Sequence, residues 1–308
     1  MQEELANFDN LLSVKELCEI ACISRSSYYY YLSTEKARYR AEERDREDFQ
    51  RILDAYNYKG YPKGSRAIKM HLDKNYNCIN RNKIQRLMNK YRLACHIREA
   101  NPYRRMQKAK KTSTYAKNRA QRNWGNFGPG QMIETDITYL FYGKSGSKRA
   151  YLSTMKDACT KQILSYVVSG SLRENFVLDT VDQLIEKHGS QLSKNLIIHS
   201  DQGVHYSAYE YMKKLDKKHI KRSMSRRGNC WDNAPQESFF GHMKDEINIT
   251  DCTVFEELEN CINNYMDYYN NERYQWDLCK MSPNEYSKYL RKGIYIIPGK
   301  GSKSINVA

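Results

Sequence analysis

Between residues 131 and 142 the chain reads QMIETDITYLFY, and its side chains alternate with a period of two. Ile133, Thr135, Ile137, Tyr139 and Phe141 fall on one side, and Glu134, Asp136 and Thr138 on the other. That alternation, in β-branched and aromatic residues, predicts a strand and not a helix. It also sets Asp136 in the middle of a strand, where burying a charge is costly unless something balances it. No such alternation precedes residue 128, so the chain divides there into two parts built on different periods.

The first part reads as helices. SVKELCEIACISRSSYYYYL opens with Ser13 and Glu16 in capping-box spacing, carries Leu17, Ile20 and Ala21 on one face, breaks near Ile23 and restarts at Ser24. The pattern returns 56 residues later, where INRNKIQRLM (79–88) parallels ISRSSYYYYL (23–32): Ile, a capping residue, then Arg at the helix start. Two helix-turn-helix units are expected, separated by the Gly- and Pro-containing YKGYPKGS.

Charge points to a partner. Residues 1–128 hold 27 Lys and Arg against 14 Asp and Glu, thirteen of the fifteen excess positive charges. Between 51 and 128 the count is 20 basic to 3 acidic, with tyrosines interleaved. Each cation that neutralises a phosphate releases condensed counterions, so a field of this kind suits double-stranded DNA. Residues 101–128, with eight basic and no acidic residues, are expected to be a basic linker.

Beyond it, AYLSTMKDAC and KQILSYVVSGS supply two further strands of an antiparallel meander. A helix is expected over about 173–188, then the apolar strand NLIIHSD, a helix over about 207–218, the strand IKRSMS, a helix opened by Asn233, and a long helix near 254–272. Three strands followed by helix and strand in alternation predict a mixed five-stranded sheet flanked by helices. The expected whole is α+β and multidomain, an all-α N-terminal region ahead of an α/β core. Its limits are 1–35, 36–100, 101–128 (linker), 129–292 (core) and 293–308 (tail).

Three acids stand out. Asp136 lies mid-strand, Asp201 ends an apolar strand where a parallel sheet opens into a crevice, and Glu237 lies in the first turn of the helix after Asn233, Pro235 and Gln236. Phe239, Phe240, Met243 and Ile247 fill one arc of that helix, and Glu237, Gly241 and Lys244 lie along its edge. Carboxylates brought together repel unless a cation sits among them, and Mg²⁺ suits because it binds through few carboxylates and keeps positions for phosphate oxygens. Two such ions would clamp the attacking and leaving oxygens of an in-line phosphoryl displacement.

The spacing, with 64 residues between Asp136 and Asp201, 35 between Asp201 and Glu237, and a lysine seven positions on, resembles the DDE pattern of retroviral integrases and bacterial transposases. The words TDITYL, HSDQGVHY, GNCWDNAPQESFFGHMK and YYNNERYQWDLCKMSPNEY are similar to transposases of insertion sequence family three over about residues 15–290. The resemblance implies a ribonuclease-H-like core and Asp136, Asp201 and Glu237 as catalytic ligands of two Mg²⁺, with Mn²⁺ as a substitute. It also implies Lys244 near the reacting phosphate and N-terminal helices on DNA. The reaction implied is hydrolysis that frees a 3′-hydroxyl at an element end, then attack of that hydroxyl on another phosphodiester, with transposon ends and target DNA as substrates. A homodimer or higher oligomer is implied, as is a first-reading-frame product, separate or joined by frameshifting.

Further candidate DNA contacts are Arg226, Arg227, His205, Arg25, Tyr28, Arg81 and Lys83. His199, Cys230 and Trp231 are expected to be structural. The nine cysteines form no CxxC pair, which points to reduced thiols, and His71, Cys78, Cys95 and His96 fit no zinc spacing. No run approaches the length of a membrane span, so a cytoplasmic, nucleoid-associated protein is expected. The alternatives are a DNA-binding regulator with an idle catalytic fold and a nuclease acting on RNA hybrids.

Overall fold

A computed structural model describes residues 13–75, 78–95, 116–172, 175–226, 230–292, 294–296 and 302–304. Among the described residues the first helix, α1 (Val14–Ile20), starts at a reciprocal capping box: the Glu16 amide donates to Ser13 Oγ (3.3 Å) and the Ser13 amide to the Glu16 carboxylate (2.7 Å). Ser24 caps α2 (Arg25–Ser33) by accepting from the Ser27 amide. The buried face differs from the expected one. Leu17 and Cys18 are buried, whereas Ile20 is 70% exposed and Ala21 is also exposed. A helix of seven residues has room for few buried positions, and in α2 Tyr28 is the buried residue.

A long helix, α3 (Glu35–Asn57), follows, then α4 (Ser65–Lys74) and α5 (Arg81–Lys90), which Asn80 caps through the Asn82 amide. Ile52, Ala55, Ile68, Leu72, Ile84 and Leu87 make one core among these three helices. Buried Asp45 receives a two-pronged contact from Arg86 (2.7 and 2.8 Å) that holds its carboxyl well below the usual range. Much of this unit's basic charge is therefore spent within it.

The turn before α4 carries a buried cation. Lys63 Nζ donates to the carbonyls of Tyr58 (2.6 Å) and Tyr61 (2.7 Å), and burial pulls the ammonium down to about 8. Because this value lies below that of an unfolded lysine, the unfolded chain binds the extra proton between about pH 8 and 10.5, and stability rises with pH across that window. Wild type should therefore gain stability relative to Lys63→Met between those limits in urea titrations. At pH 7 the variant should be weaker by about 2 kcal/mol, since carbonyls lose their donor. A relative curve that is flat from pH 8 to 10.5 would contradict the assignment.

The core begins at Gly130, whose φ of +72° and close approach to the Gln191 carbonyl exclude any side chain. Strand β1 (Met132–Tyr142) pairs antiparallel with β2 (Lys148–Asp157), which pairs antiparallel with β3 (Ile163–Ser169). Helix α6 (Asn175–His188) leads to β4 (Ile197–Ser200), parallel to β1. Helices α7 (Val204–Ser207) and α8 (Tyr209–Lys217) lead to β5 (Lys221–Met224), parallel to β4. The sheet order β3-β2-β1-β4-β5 is the mixed five-stranded arrangement expected from the sequence, with a ribonuclease-H-like topology. Then come α9 (Ala234–Glu246), α10 (Phe255–Asn271) and α11 (Pro283–Lys292).

Both sheet faces are covered. Ile133, Met155 and Ile198 pack under α6 and α8, while Leu140, Ala150 and Leu152 pack under α9 and α10. Helix α11 was not foreseen, although SPNE is a capping box: Ser282 and Glu285 exchange backbone contacts of 3.1 and 3.3 Å. The tail, unread in the sequence, contains an antiparallel pair, β6 (Ile294–Ile296) and β7 (Ser302–Ser304). Tyr61 stacks on Tyr265 and Tyr268, Tyr58 and Lys59 bind Glu272, and Lys74 binds Glu285, so the three-helix unit rests on α10 and α11.

Candidate active site

Register brings the first two acids together. In the parallel pairing Met132 faces Ile197, Ile133 faces Ile198 and Glu134 faces His199. Asp136 lies two residues further along β1, and Asp201 two residues past His199, just beyond the end of β4; continued, the register would set the two at matching height with matching side-chain parity. Asp136 is 8% exposed. Its Oδ1 accepts the Ile137 amide (2.8 Å) and its Oδ2 accepts Asn233 Nδ2 (2.9 Å). Asp201 Oδ1 accepts the Gly203 amide at 2.8 Å, and a Cβ on Gly203 would stand 2.8 Å from that oxygen. The Tyr206 phenol is held protonated by burial first, and then by the fields of Asp136 and Asp201. Both carboxylates thus press on one buried hydroxyl.

The third acid comes from α9. Phe239, Phe240 and Met243 bury their arc as expected, with Ile247 just past the helix end, leaving Glu237 exposed and Lys244 half-buried along the edge. Asn233 does not cap α9 with its side chain, contrary to the sequence expectation, because that amide is turned onto Asp136. A buried carboxylate needs a donor more than an exposed helix end does. Two more contacts fasten this first turn across β1 and β2: Gln236 Nε2 donates to Thr154 Oγ1 (2.6 Å), and Lys156 Nζ donates to the Pro235 carbonyl (2.6 Å).

Beneath lies a buried ion pair that the sequence reading did not single out. Lys156 Nζ stands 3.1 Å from Glu134 Oε2, both side chains nearly sealed from solvent. Burial pushes the Glu134 carboxyl up and the Lys156 ammonium down, each opposed by the other's charge. The signal was present in principle, since Glu134 shares the face of Asp136 and Lys156 is its cross-strand partner.

Asp232 is a second feature missed from sequence. Its sealed carboxylate accepts from Asn118 (2.9 Å), Arg122 (2.8 Å), the Arg226 amide (3.0 Å) and the Arg226 guanidinium (2.9 and 3.0 Å). Arg226 first, then Arg122, holds it well below the carboxylate range. The end of the basic segment is thereby tied to the loop before α9.

Other predicted residues fall variously. His199 is structural as expected: its Nε2 faces the Asp232 carbonyl (3.0 Å) and so carries the proton, leaving Nδ1 to accept from Ser223 (2.8 Å). His205 packs edge-on to Phe176 with a buried Nδ1, which turns that atom away from solvent. Tyr28 is buried, 8% exposed, whereas Tyr29, Tyr30 and Tyr31 are exposed. Lys83 is bound to Asp48 (2.5 Å), which offsets the charge a phosphate would need. Arg25 is exposed and Arg81 half-buried, each at the start of its helix. Arg226 gives its guanidinium to Asp232, and Arg227 lies outside the described residues. Trp231, expected to shape the loop, is 65% exposed, and the side chain of Cys230 lies outside the described set.

The acids are not drawn up as a metal cluster. Among the described residues no three His, Cys, Asp or Glu side chains converge closely enough to enclose an ion. Asp136 and Asp201 are each turned toward local amide donors, which satisfy a carboxylate where like charges would otherwise repel. Their chemistry still fits Mg²⁺: both offer hard carboxylate oxygens, one from within β1 and one just past the end of β4. No helix among the described residues is long and apolar enough to cross a membrane.

Comparison with known proteins gives a consistent picture. Residues 127–230 and 237–289 match the integrase core domain, and residues 43–101 match an HTH-like domain. The chain is 31% identical over 277 residues to a transposase of insertion sequence element IS150 from Escherichia coli (strain K12), covering 88% of this chain and 92% of that protein. It is 34% identical over 215 residues to a transposase-like protein of Haemophilus influenzae, covering 68% and 93% respectively. Among solved structures, the catalytic core domain of HTLV-2 integrase in complex with magnesium superposes with a TM-score of 0.41 at 19% identity, covering 52% of this chain and 97% of that one.

Proposed function

This chain belongs to the integrase-core transposases, and on that premise we propose that Asp136, Asp201 and Glu237 are its reactive acids. The protein is a polynucleotidyl transferase of DNA transposition. The observation that supports the assignment is the parallel pairing of β1 with β4, in which Glu134 faces His199, with Asp136 two residues further along β1 and Asp201 just past the end of β4. Glu237 completes the set from the helix that Asn233 joins to Asp136.

These three side chains would hold Mg²⁺, two ions in the full site, and bound Mg²⁺ supplies charge stabilisation to the attacking and leaving oxygens of an in-line displacement. The protein's part is placement. The Ile137 and Asn233 donors set the Asp136 carboxylate, and the Gly203 amide sets that of Asp201. Lys244, two turns beyond Glu237 on the same helix edge, would contact the reacting phosphodiester as a cation. In the first reaction water attacks phosphorus, the bond to the element's 3′-oxygen breaks, and a 3′-hydroxyl is freed. In the second that hydroxyl attacks another phosphodiester and releases its 3′-oxygen. Arg25 and Arg81 open the recognition helices of two helical units, residues 1–35 and 36–100, which grip DNA ahead of the linker (101–128), core (129–292) and tail (293–308). Joining two ends needs at least two active sites, hence a dimer or larger assembly.

The test is incubation of the chain and Mg²⁺ with labelled duplexes carrying the element's termini, alongside labelled RNA–DNA hybrids. Joined DNA products are expected. Cleavage of hybrids without joining would favour a nuclease, and binding without either reaction a regulator.

A further inference from the structure

The first turn of α9 is pinned across β1 and β2 by three polar contacts: Asn233 to Asp136, Pro235 to Lys156 and Gln236 to Thr154. Only one of them ends on a reactive acid. Asn233 is buried, and its Nδ2 donates to Asp136 Oδ2 at 2.9 Å, while its Oδ1 is buried without a hydrogen-bond partner among the described residues. The amide cannot be turned over, because that would set its oxygen against a carboxylate oxygen that only accepts. An unsatisfied buried acceptor is costly, so the contact on Asp136 is made against a penalty.

The position of Asn233 is itself imposed. Its neighbour Asp232 is clamped from one side by Asn118 and Arg122 and from another by Arg226, and its carbonyl meets His199 Nε2. The segment carrying Asn233 is thus bound to the basic segment, to the loop after β5 and to β4, and has little freedom to withdraw.

We infer that Asn233 is a positioning residue for Asp136, fixing the direction in which that carboxylate presents its remaining lone pairs. The inference rests on the reading of Asp136 as a reactive acid and adds a role that the three-acid pattern does not contain. With the donor removed, Oδ2 loses the Asn233 contact and one restraint on the direction of the carboxylate. Outer partners that orient a ligating carboxylate affect affinity for the ion as well as rate.

The test uses the full chain and Mg²⁺ alone, before any DNA is added, and reads the rise in thermal midpoint as Mg²⁺ is titrated. Asn233→Leu keeps the branched shape, with a larger side chain, and removes the donor; Asn233→Ala is a second variant should the first fold poorly. Gln236→Leu is the structural comparison, since it loosens the same turn without touching an acid. The Mg²⁺ concentration for half the rise is expected to increase roughly 10-fold or more in the Asn233 variants and to stay within about twofold of wild type in Gln236→Leu. With DNA, the single-turnover cleavage rate should fall roughly 10- to 100-fold while the KM for DNA is unchanged. Equal Mg²⁺ curves for Asn233→Leu and Gln236→Leu would overturn the inference, reducing Asn233 to a helix anchor. Asp136→Asn in the same titration separates the two levels: a full Mg²⁺ response in that variant sinks the assignment of Asp136, whereas its loss beside a normal Asn233→Leu sinks only the inference.

Discussion

Replacing Asp201 by Asn is expected to lower end cleavage and strand transfer together by roughly 10³-fold or more, the scale of loss when a charge that stabilises the transition state is removed. The substitution is nearly isosteric. An Asn oxygen can still accept the Gly203 amide as Asp201 Oδ1 does, so the turn into α7 should stand and the thermal midpoint should hold. DNA affinity should also hold, because the basic excess lies mainly before residue 128 and not at the sheet. What is lost is one negative charge beside Asp136. Measured with labelled ends and Mg²⁺, equal joining by variant and wild type would remove Asp201 from the chemistry.

The largest expected effect on stability comes from Lys156→Met. It strands the Glu134 carboxyl in a site nearly sealed from solvent and frees the Pro235 carbonyl at the start of α9. Breaking a buried pair from one side typically costs about 3–5 kcal/mol, while replacing both members with apolar groups of similar volume is often close to neutral. Denaturant titration should therefore show a large loss for Lys156→Met and substantial recovery in Lys156→Met with Glu134→Leu. The pH dependence follows from Glu134. An unpaired buried carboxyl has a folded value raised above its unfolded one, so its stabilising contribution is present below the unfolded value and lost as pH rises. The deficit of the single variant should accordingly shrink toward pH 4.5. A single variant as stable as wild type at pH 7 would mean that the pair carries no net weight in the fold. Activity of the double variant should remain low even where stability returns, since nothing then donates to Pro235.

Much of the architecture was legible because it rests on local periodicity. The alternation in β1, the capping residues Ser13, Ser24 and Asn80, and the apolar arc of α9 all appear where their spacing puts them. The misses have local causes too. Ile20 and Ala21 sit on the expected stripe, but a seven-residue helix has too few neighbours to cover it. Tyr28 looked like its three exposed neighbours, and only the fold separates the one buried ring. Lys83, expected to contact a phosphate, is bound to Asp48, 35 residues earlier, a partner that local spacing does not show.

By itself, then, the order of residues determined the element types, the mixed sheet and the identity of three acids worth testing, because period, capping and spacing act over a few residues at a time. Only the tertiary structure decided what surrounds those acids. Asn233 on Asp136, Lys156 on Glu134, and Arg122 and Arg226 on Asp232 join positions from 6 to 110 residues apart, and such partnerships arise from strand register and helix docking. A polar group chooses its partner by which donor burial brings within reach, and that choice is made only once the chain has closed.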